Sequence, residues 1–258
     1  MSRKIDRRQA LGAFGTISLA GLLAACGADS DDRTASVATT SGDTATVASK
    51  STTSYDKGAL FDDGGSCTLT VEQSEGPYFF DADKVRSDIR EDRNGTRLRL
   101  ALRVQDAECK PVPNAVVDIW HADAGGAYSG FDGSDGGGGP VGGGGEAQTS
   151  TRYLRGSQVT DKDGVVEFVT IYPGWYEGRT VHIHAMVHID NASVRTTQLY
   201  FDDELSDRVY ASGEAYSTRG ERSQLNDSDG IYDASLVVPA KADGDGYVGA
   251  MTFNIRSA

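Results

Sequence analysis

The sequence predicts an all-β domain, a β-sandwich of mostly antiparallel strands. Three observations predict it. Thr96-Arg-Leu-Arg-Leu-Ala-Leu-Arg-Val104 alternates strictly, with Leu98, Leu100, Leu102 and Val104 on one face and Arg97, Arg99 and Arg103 on the other, the period of a half-buried strand. Short apolar runs recur, divided by Gly, Pro and Asp turn signals. No apolar stripe at helical spacing runs through three turns, and there is no internal repeat.

The elements follow in chain order. After 96–104, Lys110-Pro-Val-Pro-Asn114 reads as a turn and 115–120 as a second strand. Asp161-Lys-Asp-Gly164 is another turn, feeding a strand over 165–171. Strands are predicted over 180–189, 196–201 and 247–255. Between strands lies the low-complexity run Gly136 to Gly145. It lacks the Gly-Lys-Ser/Thr ending and following helix of a phosphate-cradling loop, so it reads as a flexible surface loop.

The amino-terminal part reads differently. Residues 1–26 open with Arg3, Lys4, Arg7 and Arg8 and continue as a small apolar stretch, the pattern of an export signal. The adjacent arginines resemble a twin-arginine signal. Leu23-Ala-Ala-Cys26 resembles a lipobox in which Cys26 is lipidated; the alternative is an ordinary cleaved signal with an incidental cysteine. Residues 27–58 are Ser, Thr, Ala and Asp with almost no large apolar side chain, a composition that reads as a flexible tether between anchor and domain. The domain itself is assigned to 59–258. The protein is therefore expected to act outside the cytoplasm, on the cell surface through a lipid anchor or else secreted or periplasmic. In that oxidising setting Cys67 and Cys109 form an even pair, and a disulfide between them is expected.

Charge excludes some partners. The 258 residues carry a formal charge of -13, and since residues 1–25 contribute +3, the rest carries -16. Such a surface repels phosphate backbones and anionic headgroups, so no nucleic-acid partner is expected and membrane contact only through the anchor. No apolar run of about 20 residues is present to span a bilayer.

Three of the four histidines fall in His182-Ile-His184-Ala-Met-Val-His188. On a strand, positions 182, 184 and 188 share a face, and two imidazoles two residues apart can reach one metal ion. A strand with a polar, solvated face is the alternative.

Two segments together raise the metal reading. Pro173-Gly-Trp-Tyr-Glu-Gly-Arg-Thr-Val-His-Ile-His184 and Asp118-Ile-Trp-His-Ala-Asp-Ala-Gly-Gly-Ala-Tyr-Ser129 resemble the intradiol ring-cleavage dioxygenases, the non-haem iron enzymes of the catechol and protocatechuate dioxygenase family. Glu75-Gly-Pro-Tyr78, Arg155-Gly-Ser-Gln-Val-Thr-Asp161 and Gln198 extend the resemblance, which runs from about Cys67 to the carboxyl terminus. It implies long loops forming a non-haem Fe(III) site with Tyr128, Tyr176, His182 and His184 as ligands. Anionic phenolates suit a hard ferric ion. The resemblance further implies a catechol-type substrate, O2 as co-substrate and a cis,cis-muconate-type product. Tyr176 would leave the metal and accept a substrate proton. Arg179 would stabilise developing negative charge, Gln198 would lie near substrate and oxygen, and Tyr78 would line the cleft. His121 and His188 match no ligand position and read as structural, and Trp120 reads as core. Two other functions compete: an inert cell-surface binding module on the same fold, and a divalent-metal hydrolase using His182, His184 and a carboxylate. The particular catechol and the oligomeric state are not readable.

Overall fold

The computed structural model describes residues 34–38, 44–48, 60–61, 67–82, 84–131, 149–189 and 192–256, the two amino-terminal segments and 192–194 by backbone only. The segment expected to be an export signal, with Cys26, and the run Gly136 to Gly145 lie outside the described residues. The chain divides into two compact units, Met1–Tyr55 and Asp56–Ala258. In the first, β1 (Thr34–Ala38) pairs antiparallel with β2 (Thr44–Ala48), Thr34 opposite Ala48. Both segments fall within 27–58. A composition argument that weighs apolar bulk passes over the β-branched Thr and Val they carry, which suit an extended chain.

The second unit is a sandwich of two four-stranded sheets. One has β3 (Arg97–Gln105), β6 (Val165–Ile171), β9 (Ala240–Asp243) and β10 (Gly246–Asn254), in the order β6-β3-β10-β9. Its β3–β10 pairing is parallel and the others antiparallel. The other has β4 (Val116–Trp120), β5 (Arg155–Val159), β7 (His182–Ile189) and β8 (Ala192–Tyr200), in the order β5-β4-β7-β8, antiparallel throughout.

Alternation places the core. Leu98, Leu100, Leu102 and Val104 of β3 are wholly buried and pack with Phe168, Phe253, Val117, Ile119, Ile183, Val187 and Leu199 from both sheets. Each such side chain contributes about 1.5–3 kcal/mol of transfer free energy. The outer face of β3 is less open than a half-buried strand implies. Ala101 joins Phe61, Val165 and Ala250 in a small cluster, and Arg99 is buried on Glu167 at 2.7 Å.

Three elements differ from expectation. β5 and β9 add strands, and α1 (Asp203–Ser212) is a helix of ten residues capped by Asp202, whose carboxylate accepts from Leu205 N–H. Only Leu205, Ser206 and Val209 of α1 are buried, too few for a three-turn stripe. Cys67 and Cys109 are joined by a disulfide with Cα atoms 5.4 Å apart.

Candidate active site

Strand β7 has two faces. Ile183, Ala185 and Val187 enter the main core, while His182, His184 and Met186 alternate to the other side, where Met186 packs with Tyr78, Trp120, Ala122, Tyr128 and Phe131. β7 lies between β4 and β8, with His184 opposite both Trp120 and Gln198 and His182 opposite Tyr200. The strand pairing thus sets Gln198 and Trp120 beside the histidines. Trp120 is buried, as a core residue would be, but as a wall of this site: its indole stacks on His184 at 5.0 Å and 3°.

The two tyrosines arrive on loops that touch through backbone. Tyr128 follows the turn Asp123–Gly126, and Tyr176 begins a turn closed on Arg179 by a bridge, with Gly178 at φ 83°. Gly174 N–H donates to Asp123 C=O at 3.1 Å, and a Cβ on Gly174 would lie 2.2 Å from that oxygen. Only glycine permits the approach. Arg219 closes the same corner, its guanidinium 4.3 Å above the Trp175 ring and donating to the Trp175 carbonyl.

Four donor atoms converge. His182 Nε2 lies 3.1 Å from Tyr176 Oη, 3.4 Å from Tyr128 Oη and 3.1 Å from His184 Nε2. His182 Nδ1 is 2.7 Å from the Thr180 carbonyl, which only accepts, so the ring proton sits on Nδ1 and the Nε2 lone pair faces the cluster. His184 Nδ1 is buried with no hydrogen-bond partner among the described residues. With the His184 proton on Nδ1, the Nε2 lone pairs of the two rings face each other at 3.1 Å, a repulsion that a cation held between them would turn into attraction. Bonds of about 2.1 Å at roughly 90–110° separate neighbouring ligand atoms by about 3.0–3.4 Å, which is the spacing found. The donor set fits a metal ion, two imidazoles and two phenols with no carboxylate. Among the described residues no group of three His, Cys, Asp or Glu side chains is placed to hold one.

Electrostatics prepare these groups unequally. Burial pushes the His182 imidazolium down to about 3 and His184 well below its ordinary value, so both rings are neutral and ready to ligate. Burial raises the Tyr128 phenol well above its ordinary range and Tyr176 up to about 12; both need a neighbouring cation to ionise. Tyr128 is 2% exposed and stacks on Tyr78 at 4.4 Å and 12°, whereas Tyr176 is half-buried on its turn. Gly76, at φ 70°, passes so close over His184 that a Cβ would lie 3.1 Å from its ring.

The remaining site candidates are arranged around this cluster. Arg179 donates from Nη2 to Gln198 Oε1 at 2.5 Å and from Nε to Asp229 Oδ2 at 2.8 Å. Gln198 Nε2 donates to the Ser74 carbonyl, which fixes the amide. Asp229 was outside the sequence motifs; its stretch, Leu225 to Asp233, is polar and patternless. Arg155, buried with Nη1 unpartnered among the described residues, donates to the Ser129 carbonyl and hydroxyl beside Tyr128. His121 and His188 stand apart: His121 bridges the Ala122 carbonyl and Thr170 Oγ1, and His188 lies 2.8 Å from Asp118.

Comparisons with known proteins agree in kind. The model of a family described as Dioxygenase (Dioxygenase_C) matches residues 74–219. An intradiol ring-cleavage dioxygenase from Tetranychus urticae superposes with a TM-score of 0.68 at 34% identity, over 74% of this chain and 95% of that one. The dioxygenase domain of a dioxygenase carbohydrate-binding protein fusion from Streptomyces sp. SirexAA-E gives 0.55 at 29% identity, over 74% and 100%. Catechol 1,2-dioxygenase of Acinetobacter baylyi is 35% identical over 45% of this chain and 39% of its own length. The chain spans only 39–59% of the curated catechol and chlorocatechol relatives it matches. A family match over more than half of the residues, joined to a structural likeness that spans nearly the whole of a relative a third identical, places the chain in the intradiol ring-cleavage dioxygenase family.

Proposed function

We propose that the protein is a non-haem Fe(III)-dependent intradiol dioxygenase that opens a catechol-type aromatic with both atoms of O2 to give a cis,cis-muconate-type product. The observation that carries this reading is the convergence of Tyr128 Oη, Tyr176 Oη, His182 Nε2 and His184 Nε2 at ligand spacing. These four residues would hold the iron, and the bound ferric ion would supply the Lewis acidity that activates a chelated catecholate. Tyr128, packed against Tyr78, suits a permanent ligand. Tyr176, half-buried on a turn, suits the one that yields its place and takes a substrate proton at Oη. Arg179 would stabilise the negative charge that develops on the substrate, and Gln198 would lie near substrate and O2, with Tyr78 on the cleft wall. Because both phenols must lose protons to ligate, iron affinity should rise with pH.

Two features of the sequence complete the reading. The export signal and Cys26 would place the domain outside the cytoplasm, anchored by lipid. The hydrolase reading lacks support, since no carboxylate accompanies His182 and His184 among the described residues. The test is the visible spectrum of the purified, iron-loaded protein, recorded before and after anaerobic catechol. A broad tyrosinate band that shifts with catechol and decays on admitting O2, with muconate formed, is expected. A colourless protein active with a divalent metal overturns the proposal, and a protein that binds no metal leaves the binding-module alternative.

A further inference from the structure

We propose that Asp229 is the positioning residue for Arg179, holding its guanidinium against Gln198 at the edge of the metal-donor cluster. The inference deepens the dioxygenase reading and rests on it. The family match ends at residue 219, so nothing in it assigns residue 229.

The geometry is that of a built bracket. Asp229 Oδ2 accepts from Arg179 Nε and from Thr180 N–H, both at 2.8 Å, while Oδ1 accepts from Ile231 N–H at 3.0 Å. The Asp229 carboxylate is 2% exposed although Arg179 itself is 21% exposed. A rim arginine on a four-residue turn has many rotamers to choose from, and ordering it costs side-chain entropy. With Nε on Asp229 and Nη2 on Gln198, two edges of the planar fork are taken, which fixes the plane.

The bracket is itself anchored. Asn226, three residues before Asp229, donates to the Phe201 carbonyl and accepts from Thr180 Oγ1, and its own N–H donates to Asp203 Oδ2. The segment is thereby tied both to the end of β8 and to the start of α1. Thr180, held by Asn226 and Asp229 together, also supplies the carbonyl that fixes the His182 tautomer. One polar segment thus orients the charged group and steadies the strand entry that delivers His182.

The test uses the iron-loaded full chain with catechol as substrate and compares D229A, R179A and the double variant. D229A is expected to lower kcat about 10–100-fold with KM changed less than about threefold, the cost of misplacing an oriented group. In the R179A background the same change should cost less than about threefold, because Asp229 acts through Arg179 while Thr180 keeps its bond to Asn226 and so still orients His182. Losses that multiply, or a D229A enzyme with wild-type kcat, overturn the proposal. If D229A fails to fold, D229N takes its place. It keeps an oxygen for Arg179 but sets an amide against Ile231 N–H, so a smaller loss, again absent in R179A, is expected, and a multiplicative one overturns it. Should the wild-type protein leave catechol intact, the dioxygenase reading fails by itself. A crystal structure of whichever Asp229 variant folds then decides the inference: Arg179 displaced from Gln198 supports it, and an unmoved Arg179 overturns it.

Discussion

Tyr128 and Tyr176 carry the same phenol in different surroundings, and that difference predicts different losses. Tyr128 lies in an aromatic stack and is 2% exposed; Tyr176 sits half-buried on a turn. Removing the Tyr176 hydroxyl takes away one ligand and the proposed proton acceptor together. Y176F is therefore expected to lower kcat about 10²–10⁴-fold, the range of a lost general base, while the charge-transfer band weakens without vanishing because Tyr128 remains. Stopped-flow turnover beside the visible spectrum checks this; an unchanged kcat would remove Tyr176 from the chemistry. His121 allows a second prediction, on stability. Burial holds its imidazolium at about 4 against an ordinary 6.5, with Nδ1–H committed to the Ala122 carbonyl and Nε2 accepting from Thr170. As pH falls, the unfolded chain takes the proton first. The stabilisation is complete above pH 6.5 and is lost progressively down to about 4, and the loss has reached about 2.5 kcal/mol by pH 4.5. H121Q does not titrate, so its unfolding free energy in urea should fall by about 2.5 kcal/mol less than wild type between pH 7 and 4.5. Equal losses would mean that His121 is not held neutral.

At the scale of elements, what the sequence makes legible is what alternation or motif can encode. β3, β4 and β7 announce themselves by buried apolar residues at every second position, and β6 and β10 by short apolar runs between turn signals. β5 does not, because Arg155 and Gln158 are buried on hydrogen bonds rather than on apolar contact. β9 is an exposed edge of four residues, and α1 turns too few apolar groups inward. The site divides the same way. Its tyrosines and histidines stand in recognisable segments, but Asp229 reaches Arg179 across 50 residues through hydrogen bonds that leave no periodic trace. The contact between the two tyrosine-bearing loops is legible only as glycine. It predicts that G174A, whose methyl would meet the Asp123 carbonyl at 2.2 Å, costs upwards of about 2 kcal/mol and roughly 4–8 °C in Tm, and weakens iron binding by parting Tyr176 from Tyr128. G178A is the control: its Cβ would meet nothing within 4 Å, so only the strain of positive φ, about 1 kcal/mol, applies. Calorimetry and iron titration of the pair check this, and equal losses would refute the loop-contact argument.

Across the whole domain, the disulfide and the segment that follows it separate stability from function. Cys67–Cys109 closes a loop with a sequence separation of 42, which by the loop-entropy argument stabilises the fold by up to about 4 kcal/mol. The chain leaving Cys67 then crosses the sandwich to the site. Thr70 N–H donates to Asn254 C=O, Gln73 N–H to Thr196 C=O, and Thr197 Oγ1 to Val71 C=O. Farther on, Ser74 C=O receives Gln198, Gly76 covers His184, and Tyr78 stacks on Tyr128. These contacts are distributed along the strap and do not pass through the sulfurs. Replacing both cysteines with serine should therefore lower Tm by roughly 5–15 °C, yet leave the visible band and kcat within about twofold at temperatures where the variant is folded, since its hydrogen bonds hold the strap in place. Were the variant instead to lose the band well below its own melting transition, the strap would depend on the crosslink. Gly76 and Tyr78 would then reach the site only in the oxidised protein, and export to an oxidising compartment would be a condition of assembling the centre rather than of stabilising it.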